Sequence, residues 1–304
     1  ALGNSVHGDS NVAIGRNAML NSVADGDNVA IGHGAFQNLN YNASATSSQN
    51  YYQVAIGYAA GNAVSTGRYN TLIGGLCGDA ITVGEYNTAV GYLALSTNID
   101  GDANTAVGYQ ALMTMEPSDG AGGNTAVGYR AGVVVSTGTY NTLVGAIAGE
   151  DLADGVKNTF LGHSAGLNIT AGDNNVAIGY GAMSVSAITN KCVAIGVNAG
   201  LNINDADGTD ADGTICIGYH AGDALTDGRY NVAIGLDALS EAQAQDSNTA
   251  VGYSSQVINK GIGNTSLGYL SMYTGDQSTT SNNDATYNTV IGAEAMSGGG
   301  DTAL

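Results

Sequence analysis

Asn87-Thr-Ala-Val-Gly-Tyr-Leu-Ala-Leu95 is followed 17 residues later by Asn104-Thr-Ala-Val-Gly-Tyr-Gln-Ala-Leu112. Working outward from this pair, the five-residue core, or a close relative, occurs sixteen times, and its closing glycines run from Gly15 to Gly292. Ten of the fifteen steps between those glycines are 17 residues, and four of the other five are insertions. A fixed short period means one supersecondary unit stacked on copies of itself, with extra residues let out as loops.

The columns of the repeat predict strands. The residue before the glycine is Ile, Val or Leu in all sixteen copies, and three before it stands Val, Ile or Thr, as at Val29, Thr88 and Ile215. β-Branched residues two apart share one face of an extended strand, and that face is expected to be buried. The residue between them is Ala in ten copies and otherwise Leu72, Leu143, Phe160, Cys216, Ser266 or Val290. It points the other way, with the glycine, so whatever covers that face must come close. A thin solenoid with a tight interior would do this. Neighbouring chains packed against the small-residue face would too, and this second arrangement is the expectation.

Three residues after the glycine stands Ala in thirteen copies, which predicts room for a small side chain only. Gly67, Gly84, Gly138, Gly155 and Gly228, each three before the next Asn, suit a turn needing positive φ. Asn occupies the position four before the closing glycine in thirteen copies, replaced by Gln53, Cys192 and Thr214 elsewhere. Asn repeated at one corner of a stack can pair amide to amide along the axis.

These features predict an all-β chain: a parallel β-solenoid or β-roll of about sixteen 17-residue repeats, a single repeat region over 1–304, packed as a homo-oligomer. Sixteen layers at ~4.8 Å would make a rod of roughly 75 Å. The 47 glycines argue against helix. Residues 37–52, 112–122, 201–213 and 270–286 are read as surface insertions holding the exposed aromatics Tyr41, Tyr51, Tyr52 and Tyr273, which are candidate glycan or receptor contacts. The motif is cut midway at both ends, at Ala1-Leu-Gly3 and Asp301-Thr-Ala-Leu304, so a piece of a longer chain is expected.

The chemistry is sparse. Seven basic residues against 26 acidic ones give a net charge of −19, which speaks against nucleic acid and anionic lipid as partners and favours an extracellular setting. No apolar run is long enough to span a membrane. His33 and His163 take the place after the glycine where Tyr stands in eight copies, so they read as members of a surface aromatic column. Cys77, Cys192 and Cys216 read as small buried hydrophobes, since Cys192 and Cys216 sit two residues out of register. Asp205, Asp207, Asp210 and Asp212 alternate with Ala and Gly like part of a calcium loop, a Ca2+ reading that stands beside that of a solvated acidic loop. No other cofactor is implied, and no catalytic triad, zinc spacing or paired-carboxylate cleft is visible. The Thr column at Thr71, Thr88, Thr105, Thr125, Thr142 and Thr159 also suggests an ice face, but its continuation by Val and Ile suits a half-buried site better.

The unit Asn-Thr-Ala-Val-Gly-Tyr-x-Ala-Leu resembles repeats of phage tail-fibre and tail-fibre-like proteins. Asn11-Val-Ala-Ile-Gly15 and Asn175-Val-Ala-Ile-Gly179 also look like the head repeats of trimeric autotransporter adhesins, which use a shorter coil. That resemblance implies a β-roll with three chains side by side. It also implies a non-enzymatic attachment function on a virion tail or cell surface, toward a cell-surface glycan or receptor. A structural filament or sheath, and an ice- or calcium-linked adhesin module, are the alternatives.

Overall fold

The computed structural model describes residues 10–22, 26–40, 51–115, 121–203, 212–242, 245–257, 261–273 and 286–297. The chain divides into two compact units, residues 1–156 and 157–304. The first carries strands β1 (Val12–Ile14), β2 (Val29–Ile31), β3 (Val54–Ile56), β4 (Thr71–Ile73), β5 (Thr88–Val90), β6 (Thr105–Val107), β7 (Thr125–Val127) and β8 (Thr142–Val144). The second carries β9 (Thr159–Leu161), β10 (Val176–Ile178), β11 (Val193–Ile195), β12 (Ile215–Ile217), β13 (Val232–Ile234), β14 (Thr249–Val251), β15 (Thr265–Leu267) and β16 (Thr289–Ile291). No helix occurs among the described residues.

Within each unit every strand pairs in parallel with the next, column on column: Thr88 with Thr105, Ala89 with Ala106, Val90 with Val107. The insertion between Gly108 and Gly128 leaves this register intact, since Thr105 pairs with Thr125. Each unit is therefore a β-solenoid with one coil per repeat, as the spacing of the glycines predicts.

The turns continue the stacking. The Leu95 N–H donates to Ala111 O of the next coil at 3.0 Å, and the Leu93 N–H donates to Gly75 O of the previous one at 3.1 Å. Backbone groups in the bends are thus satisfied from coil to coil, as buried backbone requires. The geometry is reached through three left-handed residues per coil: two and four after the closing glycine, and the one before the Asn (Leu93, Leu95 and Ala103, for example). Of these 48 positions, 36 are not glycine. The closing glycines themselves take φ between 127° and 147°, a region that side chains avoid.

The faces are reversed from the expectation. From β2 to β16 the middle strand residue is buried and its neighbours on either side are half-buried or exposed; Ala30, Ala89 and Ala106 are 0% exposed, whereas Ile14 in β1 is 58% exposed. The small-residue face is thus the lining of the coil, not a surface for neighbouring chains. Volume is the reason. A coil of 17 residues has space inside for Ala, the Ala three after the glycine and one long residue beyond it, such as Leu95 or Met183. A further interior column lies seven after the glycine, at Leu39, Ile81, Met115 and Ile169 among others. The β-branched pair is left facing outward.

A second correction concerns the loop glycines. Gly67, Gly84, Gly138 and Gly228 do not have positive φ; instead, a Cβ on any of them would strike a carbonyl of the next coil, at 2.8 Å from Gly101 O in the case of Gly84. Close approach, not turn conformation, selects glycine there.

The ranges 37–52, 112–122, 201–213 and 270–286 are not surface throughout, because they take in core positions. Leu39, Leu112, Ile203 and Ser271 are wholly buried. Residues 41–50, 116–120, 204–211 and 274–285 lie outside the described residues.

Candidate functional site

The Asn corner is structural. Asn70 Nδ2 donates to Gly84 O at 2.8 Å, and Asn70 Oδ1 accepts the Asn87 N–H at 3.0 Å. One buried amide therefore satisfies a donor and an acceptor of the coil that follows it. Amide-to-amide bonds also occur, as from Asn104 Nδ2 to Asn87 Oδ1 at 3.1 Å. Thr214 performs both tasks with one hydroxyl, donating to Gly228 O at 3.1 Å and accepting the Asn231 N–H at 3.4 Å.

The outward face of the strands is the first functional candidate. Its two columns hold only Val, Ile, Leu and Thr in all sixteen copies, although the chain carries a net charge of −19. Thr71, Thr88, Thr105 and Thr125 are half-buried there and Thr142 is exposed. A long uncharged stripe on an acidic protein is the kind of surface that marks an interaction site.

Two exposed aromatic columns flank the strands. One follows the closing glycine: Tyr92 stacks on Tyr109 with ring centroids 5.9 Å apart, Tyr109 on Tyr129 at 5.4 Å, and Tyr253 on Tyr269 at 5.4 Å. His33 and His163 join this column against Tyr58 and Tyr180, as their sequence position predicts. The other column precedes the Asn, where Tyr69 stacks on Tyr86 at 5.0 Å and Tyr52 on Tyr69 at 6.4 Å. Sequence reasoning missed this second column. The signal was present, in Tyr69, Tyr86, Tyr140 and Tyr230 one residue before an Asn.

The predicted contact residues separate. Tyr52 is 59% exposed, but Tyr51 is 1% exposed and so is not a surface contact. Its ring lies inside the coil, with the Arg68 guanidinium 5.9 Å from its centroid. Tyr52 takes a left-handed φ of 45°, so the chain bends between the two rings and only one of them faces solvent. Tyr273 is half-buried. Tyr41, Asp205, Asp207 and Asp210 fall outside the described residues. Asp212 meets Lys191 Nζ at 3.1 Å. No group of metal-ligating side chains occurs among the described residues.

The remaining polar chemistry is local. His220 Nδ1 lies 3.3 Å from Asp223 Oδ2, and its Nε2 lies 3.2 Å from Asn198 Nδ2. Burial pushes the Asp223 carboxyl up, and the neighbouring imidazole opposes that shift. Ser255, Gln256, Ser266 and Ser271 form a buried polar cluster in the second unit, with Ser255 Oγ 3.0 Å from Ser271 Oγ. These hydroxyls and the amide bond mainly to one another, which makes the cluster a satisfied core patch.

Cys77, Cys192 and Cys216 are buried, reduced thiols, as their columns predict. Burial raises all three, Cys77 to about 12. A thiolate is the reactive form. We therefore expect a water-soluble thiol reagent to leave the folded chain unlabelled and to titrate three thiols after denaturation. Rapid native labelling of any one would contradict its placement in the interior.

No helix of the described residues is long and apolar enough to cross a membrane. No protein-family model matches the chain, and no curated protein matches it.

Proposed function

We propose that this protein is a non-enzymatic fibre or adhesin segment in which three copies pack side by side, carrying attachment to a cell-surface glycan or receptor. The observation that carries the reading is the outward stripe of each unit: eight pairs of Val, Ile, Leu or Thr, none charged, half-buried or exposed in a single chain. Burying such residues is worth about 25 cal/mol per Å² of apolar surface. A second copy offers the same rise per coil, so its columns match at every layer, and a face without charge lets acidic chains approach. Three copies are favoured over two by the resemblance to trimeric adhesin heads. An extracellular site, on a virion tail or cell surface, fits the acidic composition.

Sedimentation of the purified chain tests the assembly. We expect the mass of three chains, falling to one in the double variant Val107→Lys, Val127→Lys. Those side chains face outward, so the coil itself should keep its circular dichroism. A single-chain mass for the unaltered protein would remove the trimer. Attachment is tested separately, by binding of the labelled protein to glycan-bearing cells. Tyr52→Ala and Tyr273→Ala should weaken it, and an unaltered binding curve in both would remove these residues from the contact.

A further inference from the structure

The stacked tyrosines turn at least one ring face to a neighbouring coil. In the Tyr69–Tyr86 pair the rings are within 10° of parallel and 5.0 Å apart, and in the Tyr109–Tyr129 pair within 9° and 5.4 Å apart. Each ring shuts one face of its neighbour and brings two phenols side by side. All four tyrosines are exposed. The parallel register holds each pair in consecutive coils whichever way the loops move.

We infer that these pairs are oxidative modification sites, joined as dityrosine by a haem peroxidase acting with hydrogen peroxide. The peroxidase removes one electron and one proton from each phenol. The two radicals form a carbon–carbon bond between ring positions ortho to the hydroxyls, and the two displaced ring protons move to the oxygens and restore both phenols. Hydrogen peroxide takes up the two electrons and two protons and leaves as two waters. Two phenols and one peroxide thus give one biphenol and two waters. Coupling requires a second phenol within reach during the radical's life, and the stack supplies it at an effective concentration of mM order, far above that of another chain. The product is a covalent tie between one coil and the next, independent of whether the chain attaches to anything.

The protein contains its own controls. Tyr180 and Tyr230 are as exposed as Tyr86. Their columns, however, place His163 and Val197, or Gly213 and Ser247, in the adjoining coils instead of tyrosine. The experiment treats an equal mixture of unlabelled and nitrogen-15-labelled full-length chain with peroxidase and hydrogen peroxide, then cleaves at aspartate. Asp79 separates Tyr69 from Tyr86, and Asp119 separates Tyr109 from Tyr129. We expect linked peptides two hydrogens lighter than their sum, of single isotope type, with both stacked pairs about tenfold above any product of Tyr180 or Tyr230. Tyr86→Phe should remove the first link and leave the second, and Tyr129→Phe should do the converse. Absence of dityrosine, equal yields at Tyr180 and Tyr230, or mostly mixed-isotope links would each overturn the inference.

Discussion

Replacing Gly108 by Ala should destabilise the chain by about 4 kcal/mol or more, at the upper end of single substitutions. The residue has φ +142°, and a Cβ built on it lands against Gly128 O, well inside van der Waals contact. Two penalties combine: a backbone conformation that side chains avoid, and a collision with backbone, which cannot swing away as a side chain could. Gly75 is the control. Its φ is not in the left-handed range, and its Cβ would meet only the ring of Tyr92, at 3.5 Å. Gly75→Ala should change stability by less than about 0.5 kcal/mol. Urea unfolding followed by circular dichroism checks both. Because coil stabilities add nearly independently, hydrogen exchange should show the loss concentrated around β5 to β7. An unchanged midpoint for Gly108→Ala would disprove the close approach of consecutive coils at that corner.

The Asn corner gives the second large effect. Asn124 Oδ1 accepts the Asn141 N–H at 2.9 Å, and its Nδ2 donates to Gly138 O at 2.9 Å. Asn124→Ala abandons both groups in the interior, at a cost of about 3 kcal/mol. Asn124→Asp is more telling, because it keeps the acceptor and changes the donor. As a carboxylate it would face the Gly138 carbonyl oxygen in a buried place; as a carboxylic acid it could donate to it. Burial and that carbonyl both raise its folded pKa above the unfolded value of about 3.9. A raised acid contributes stability below its unfolded pKa and loses it as pH rises through the folded pKa. The variant should therefore lie near the parent in mild acid and well below it at neutral pH. Midpoints whose difference is the same at both pH values would show that the side chain at this corner is solvated.

The register of the fold was legible because the glycine spacing is itself the strand pairing: residues at equal distance from Gly91 and Gly108 are the ones that meet. The inside and outside of the coil were not legible from alternation, since a period of two separates faces without saying which is buried. The deciding signal is one of size, and it too is in the sequence. Where the middle strand residue is large, glycine stands four after the closing glycine: Leu72 with Gly78, Leu143 with Gly149, Phe160 with Gly166. Where it is Ala, that place often holds Leu or Met, as at Ala89 with Leu95 and Ala177 with Met183. Such compensation means that the two columns share one enclosed volume. A Cβ on Gly166 would in fact meet the Phe160 ring, and one on Gly78 would lie 2.8 Å from Leu72 Cδ2. Tyr51 is buried for a related reason: an insertion is not surface throughout, and its last residues rejoin the coil. The second tyrosine column is less legible because it lies one residue before the five-residue core, in the loop whose sequence varies from copy to copy.

A bond from coil to coil that repeats at the same two atoms in most of the copies, as the Asn corner shows, bears on how such a chain can change over generations. Wherever the Asn is present in a unit, consecutive coils meet through the same donors, acceptors and strand register, as at Asn87 with Asn104 and at Asn231 with Asn248. A recombination event that duplicates or removes 17 codons therefore joins surfaces that already fit. The number of coils becomes a heritable variable separable from the sequence of any one coil, and length can be selected without redesigning a core.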